Sequence, residues 1–173
     1  KQAGRPNPVA LELDASTQFL WRFPPRRLDA EGIRDSILAT TDKLDLSIGG
    51  LGFSGFEVGS EYVRHYFPKQ KFGPADWRRM VYMTRVRREV ESVFGVFDCP
   101  EGNQGTPQRT RSTTPLQALN LFNSEFVFEQ AEFLAARLKS SGDDNKSIVT
   151  QSYQLCFGRE PSSVEAIQAM EMI

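Results

Sequence analysis

At 173 residues, with 25% charged and 39% hydrophobic side chains and a formal net charge of -1, the chain can bury a core within one domain and is too polar for a membrane protein. Thirteen phenylalanines supply large apolar pieces for that core and argue against a disordered chain. Two cysteines without a C-x-x-C pair, and His65 as the sole histidine, leave little for a disulfide framework, a zinc site or a Ser-His-Asp triad. No metal site is expected.

No apolar run approaches membrane-spanning length, so no membrane insertion is expected. The start, KQAGRPNPVA, carries neither an initiator Met nor a signal peptide, and the end, SSVEAIQAMEMI, lies within a helical pattern. The expectation is a single domain over residues 1–173, excised from a larger protein. Charge is uneven: residues 62–111 hold 10 Lys/Arg against 5 Asp/Glu, and residues 112–173 hold 4 against 8. The two regions could face one another, or the basic one could face an anionic ligand.

In chain order, residues 1–13 suggest an extended leader, and Asp14 a cap for a short helix through ASTQFLWR, ended by FPP. A stronger helix is predicted from Leu28 to Leu44, with Ala30, Ile33, Ile37, Thr41 and Leu44 on its buried face. Arg34 projects onto that same face, with Arg27 and Glu31 at helical spacing beside it. A buried arginine needs partners, so these three are expected to form a structural ion cluster rather than a polar site in a cleft.

Residues 44–77 change character. They are rich in glycine and aromatics and suggest a long loop that could hold a hairpin, with residues 51–78 expected as a variable insertion. Within this stretch GLGFSG (Gly50, Gly52, Gly55) matches G-x-G-x-x-G, but FEVG follows where a dinucleotide site needs a helix. RMVYMTRV, residues 79–86, is the best strand candidate.

Helices are predicted to dominate the remainder. Thr114 with Pro115 marks a helix start, on which Leu121, Ala118, Phe122 and Leu119 form a broad apolar face. Gln117 and Asn120 share the other flank and, if buried, must hydrogen-bond the preceding loop. Ser124 caps the next helix, with a core stripe of Val127, Ala131, Leu134 and Leu138, a second edge of Phe126 and Phe133, and Glu129 and Glu132 toward water. A helix over about 146–157 ends at Gly158, and Ser162 with Glu165 forms a capping box for the last. The fold class is mainly α: an irregular helical domain with a minor β element and a long Gly/aromatic loop.

Function turns on QRTRSTTP. Arg109, Arg111, Ser112, Thr113 and Thr114 stand before a helix N-terminus, where guanidinium groups, hydroxyls and free N–H groups could bind phosphate, sulfate or an acidic polysaccharide. The competing reading is internal: Thr114 caps the helix, one arginine pairs with Glu31 or Asp35, and Gln117 and Asn120 hold the loop. Both remain open. Nucleic acid is disfavoured, because no recognition helix, zinc finger or RNA-binding motif is present, although YVRHYFPKQKF interleaves aromatics with cations. A glycan hydrolase would need two facing carboxylates. Asp98, Glu101, Glu57, Glu61 and Asp76 could serve, but nothing singles out a pair.

The blocks FLWRFPPRRLDAEGIRDSILATTDKLDLSIGG, RMVYMTRV, FDCPE, RSTTPLQALNLFNSEFVFEQAEFLAARL and SYQLCFGREPSSVE resemble a planctomycete-rich domain family of unknown function. Such domains usually form the C-terminal part of large secreted proteins, with a companion domain of unknown function and often a cytochrome-c-like domain. The resemblance implies an extracytoplasmic bacterial protein, periplasmic or at the cell surface, whose other domains are this domain's partners. It also implies a tie to redox chemistry or environmental polysaccharides. The chain has no C-x-x-C-H motif, so no cofactor is expected here and any haem would belong to the missing N-terminal region. The leading expectation is a non-catalytic structural or interaction module, with anion or acidic-glycan binding and glycan hydrolysis as alternatives.

Overall fold

The computed structural model describes residues 7–23, 26–87, 89, 91, 93–100, 102, 105, 107–142 and 144–173. Six α-helices and four very short strands occur among them, a mainly α fold with minor β structure. The helices are α1 (Pro8–Leu13), α2 (Ala30–Thr40), α3 (Pro115–Phe122), α4 (Glu125–Ser141), α5 (Asn145–Phe157) and α6 (Ser163–Glu171). The strands are β1 (Phe53–Ser54), β2 (Phe56–Val58), β3 (Tyr66–Pro68) and β4 (Met83–Thr84).

The leader is helical rather than extended over residues 8–13. Asn7 accepts the Ala10 N–H at 3.2 Å, and Pro8 occupies the first helical position. Asp14, in turn, starts no helix. Its carboxylate gathers the N–H groups of Gln18 and Phe19 at 3.0 and 2.8 Å, and Thr17 and Leu20 adopt left-handed backbone angles that stop helical propagation.

Asp29 caps α2 by accepting the Gly32 N–H, so this helix is shorter than its apolar pattern suggests. Its buried line runs through Ala30, Arg34, Leu38 and Thr41, with Ile33, Ile37 and Leu44 only half-buried. The core gathers α2, Phe53, Phe72, Met80, Met83, the segment from Val93 to Phe97, and Phe126 of α4. Phe126 sits at its middle, edge-on to Phe72 at 5.7 Å and to Phe94 at 5.6 Å between ring centroids.

Residues 51–78 do contain a hairpin: β2 and β3 pair antiparallel, with Glu57 opposite Phe67. They also contribute Phe53, Phe56 and Phe72 to the buried set. The 79–86 stretch is mostly not a strand. Asp35 takes the Met80 N–H at 2.8 Å, a tight 3-10 turn covers Met80–Tyr82, and only Met83–Thr84 pairs, parallel to β1. Gly52 is needed at that pairing, because a Cβ there would collide with the Tyr82 carbonyl oxygen. GLGFSG thus contains strand β1; Gly52 serves close backbone approach, and Gly50 adopts a left-handed conformation.

Helix α3 is rotated relative to expectation. Gln117 is its buried residue, whereas Ala118, Leu119 and Phe122 are exposed and Leu121 is half-buried. The reason is polar: Gln117 finds partners for both ends of its amide inside the protein, so its flank turns inward. Along α4 the buried residues are Phe126, Gln130 and Leu138, with Val127, Phe133 and Leu134 half-buried and Ala131 outside. Glu129 is half-buried rather than turned to water, and burial pushes its carboxyl up, whereas Glu132 is exposed. Ser124 caps α4, Gly158 ends α5 in a left-handed conformation, and Ser162 with Glu165 forms the capping box of α6.

Candidate functional site

The 109–114 loop lies against the start of α2 and the segment around Asp98. Two internal carboxylates take its cation and donors. Arg109 grips Glu31 with both guanidinium ends, at 2.8 and 2.9 Å, and reaches Asp29 at 3.5 Å. Asp98 accepts from the Ser112 N–H at 2.7 Å, the Ser112 hydroxyl at 2.9 Å and Arg27 at 2.6 Å. Gln117 completes the tie. Its Nε2 donates to the Val96 carbonyl at 3.0 Å and to Ser112 Oγ at 3.1 Å, while its Oε1 accepts the Thr114 N–H at 3.3 Å.

The electrostatics follow from these contacts. The Ser112 N–H, opposed by partial burial and aided by the Ser112 hydroxyl and Arg27, holds the Asp98 carboxyl below its ordinary range. Burial pushes the Glu31 carboxyl up, but Arg109 and Arg85 outweigh it and hold that group low as well. Glu31 in return pushes the Arg109 guanidinium up. The loop's would-be anion pocket therefore already contains protein carboxylates.

Of the five residues expected to bind an anion, Arg109 and Ser112 are engaged in this way. Thr113 and Thr114 are exposed, and Thr114 marks the start of α3. Arg111 is exposed and forms no ion pair among the described residues. Of the expected polar cluster, Arg27, Glu31 and Arg34 are not partners of one another. Each finds its acceptor or donor on a different segment: Arg27, which precedes α2, reaches Asp98, while Glu31 and Arg34 point from α2 to Arg109 and to the carbonyls of residues 76 and 78. Asn120 is half-buried beside Gln117 on α3.

Arg34 is the most buried of them, at 1% exposure, and has no direct carboxylate partner among the described residues. It donates to the carbonyl oxygens of Arg78 at 2.7 Å and Asp76 at 2.5 Å. Its guanidinium also lies 4.7 Å from the ring centre of Phe53 and 5.7 Å from that of Phe126. Burial pulls its pKa down to about 10, with Asp35, Glu91 and Asp76 opposing, so it stays charged at neutral pH.

Three residues of this polar framework have no local sequence signal. Arg78 donates to the carbonyls of Ser47, Gly49 and Leu51 and lies 3.9 Å from the Tyr82 ring centre. Arg85 donates to Cys99 Sγ at 2.8 Å and stands 3.8 Å from Glu31. Glu91 is buried with its Oε2 on the Phe94 N–H, and burial pushes its carboxyl up. Burial likewise pushes the Cys99 thiol up despite Arg85, which disfavours a thiolate nucleophile. Cys99 and Cys156 are not joined.

The candidate hydrolytic carboxylates have separate partners. Asp76 takes Lys69 at 3.0 Å and the Gly73 N–H, Glu61 stands 3.5 Å from His65, and Asp98 belongs to the loop tie. Glu57 is exposed on β2, and Glu101 lies outside the described residues. Among the described residues, no group of His, Cys, Asp and Glu is arranged to hold a metal ion. No helix among them is long and apolar enough to cross a membrane.

Fold and site together define a mainly α domain organised around buried polar ties. Residues 1–173 match the family PSD1, described as a protein of unknown function (DUF1553), and the chain belongs to that family. No curated protein and no solved structure matches it.

Proposed function

We propose that this domain is a non-catalytic structural and interaction module within a longer, multidomain bacterial protein that works outside the cytoplasm. Its partners are the other domains of the same protein, and any haem resides in one of those rather than here. The observation that carries this reading is the outward face of α3. Leu116, Leu119 and Phe122 stand three residues apart on one stripe, and 58%, 58% and 79% of their surface is exposed. A helix that turns its glutamine inward and this stripe outward presents a surface suited to a partner. The internal engagement of Arg109 and Ser112 favours this reading over anion binding at the same loop.

The test compares hydrogen exchange at residues 115–122 in the isolated chain and in the longer protein. The expected result is slower exchange in the longer protein, with the difference erased by Leu119→Glu/Phe122→Glu. In the isolated chain the double variant should melt within about 0.5 kcal/mol of wild type, as surface changes usually do. Equal exchange in both proteins would remove this reading. Stabilisation by sulfate or an acidic oligosaccharide, lost in Arg111→Ala, would favour the anion-binding reading instead.

A further inference from the structure

The segment from Glu91 to Asp98 serves both the core and the loop tie. Val93, Phe94 and Phe97 are buried in the core, the Val96 carbonyl accepts from Gln117, and Asp98 accepts from Ser112. A carboxylic acid stands at its head. Glu91 is 4% exposed, and its Oε2 accepts the Phe94 N–H across the turn. Its Oε1 is sealed from water and has no hydrogen-bond partner.

The elements packed around Glu91 leave that oxygen without a donor. Arg34 of α2 and Arg85, next to β4, are the cations that face it, and neither forms an ion pair with it among the described residues. Arg34 is turned to the carbonyls of Arg78 and Asp76, and Arg85 to Cys99 and Glu31. Glu89 and Cys99 line a small cavity on the Arg85 side and bring no donor to Oε1. Gly55, between β1 and β2, lies against the Glu91 stem, where a Cβ would come within 3.3 Å of Cγ, and adds no charge. Arg88 lies outside the described residues. Ionised, this carboxyl holds a charge away from water with one oxygen lacking a donor, whereas the neutral acid forgoes one weaker hydrogen bond. Burial accordingly pushes the carboxyl up, against the N–H groups of Phe94 and Val93 and the two arginines.

We propose that Glu91 is a proton-operated latch: as the neutral acid it holds the 93–97 turn in the core, and its ionisation loosens that turn and, through Val96 and Asp98, α3. Water reaches the ionised carboxylate when the turn lifts. The folded state holds the Glu91 proton more tightly than the unfolded chain does. Its stabilisation is therefore full below the usual carboxylate range and is lost as pH rises through the raised folded value. Asp98, held low, acts in the opposite sense. The latch does not depend on the role given to the α3 stripe.

Hydrogen exchange of wild type and Glu91→Gln from about pH 5 to about pH 8 tests the idea. Arg34, with its pKa at about 10, stays charged over that range. In wild type, amide protection at Phe94, Gly95 and Phe97 and along α3 should fall roughly tenfold toward the alkaline end, relative to α5, the scale of one buried polar atom left without a partner. Glu91→Gln is neutral at every pH and should show no such fall. Protection that stays level in wild type would overturn the proposal, as would a fall that persists in the variant. Should the variant fail to fold, carbon-13 titration of the wild-type Glu91 carboxyl decides: titration above the usual carboxylate range supports the latch, and titration within or below it overturns it.

Discussion

Arg34 and Arg109 both bind oxygen atoms on distant parts of the chain, yet their surroundings differ in almost every other respect. Arg34 is sealed between α2 and the 76–80 segment, where neutral carbonyls and two aromatic rings receive it. Arg109 lies near the surface, 42% exposed in its side chain, and is gripped by a carboxylate. A carbonyl offers only a partial charge, so it holds a guanidinium strongly only where water is excluded. A carboxylate can do so in contact with water, though screening leaves the net stabilisation small. One arginine is thus part of the core, and the other fastens a loop onto it.

Substitutions can break or sharpen this contrast. Arg34→Ala should cost about 3–5 kcal/mol in a denaturant melt, because two buried carbonyls lose their donor and a cavity opens. Arg34→Lys should recover only part, since an ammonium cannot span both carbonyls as the planar fork does. A loss below about 1 kcal/mol in Arg34→Ala would remove the distinction between the two sites.

Asp98→Asn should cost less, about 1–2 kcal/mol at neutral pH, because one oxygen still accepts a bond while the charge-assisted bonds weaken. The folded protein holds the Asp98 carboxyl below its ordinary value. Its stabilisation is therefore complete above the usual carboxylate range and declines as pH falls through and below that range. Wild-type melts should show this acid-side loss, and the variant should show less of it. Identical pH profiles would place the charge elsewhere.

The smallest effect belongs to Arg109→Ala: below about 1 kcal/mol, as for half-exposed pairs, and reduced further at high salt. Sulfate should not stabilise wild type more than this variant. A sulfate-specific gain that disappears with Arg109 would mean that the anion displaces Glu31, and would reopen the loop as a binding site.

Much of the helical layout was legible because its signals are local. Thr114 with Pro115, Ser124, Ser162 with Glu165, and Gly158 each act within four residues, and each marks the helix end it predicts. Asn7-Pro8 carries a signal of the same kind that the extended reading of the leader overlooked. The faces were harder to read, because they depend on non-local partners. Gln117 turns α3 through Val96 and Ser112, and the acceptors of Arg34 lie at residues 76 and 78, where backbone carbonyls leave no trace in side-chain spacing. Glu31 as the partner of Arg109 was one of two readings that the residues left open. The geometry selects it.

Chain separation gives the two arginine sites an order in time. The Arg34 contacts close segments of 42 and 44 residues, whereas Arg109 and Glu31 are 78 apart. Closing the longer loop costs more entropy, and its half-exposed ion pair returns little until the core has formed. The Arg109 tie is therefore expected to form after the folding barrier: its removal should accelerate unfolding while leaving the folding rate nearly unchanged. By this reasoning, Arg109 lengthens the time the finished domain stays closed, by a few-fold at most for a tie below about 1 kcal/mol, rather than hastening its assembly.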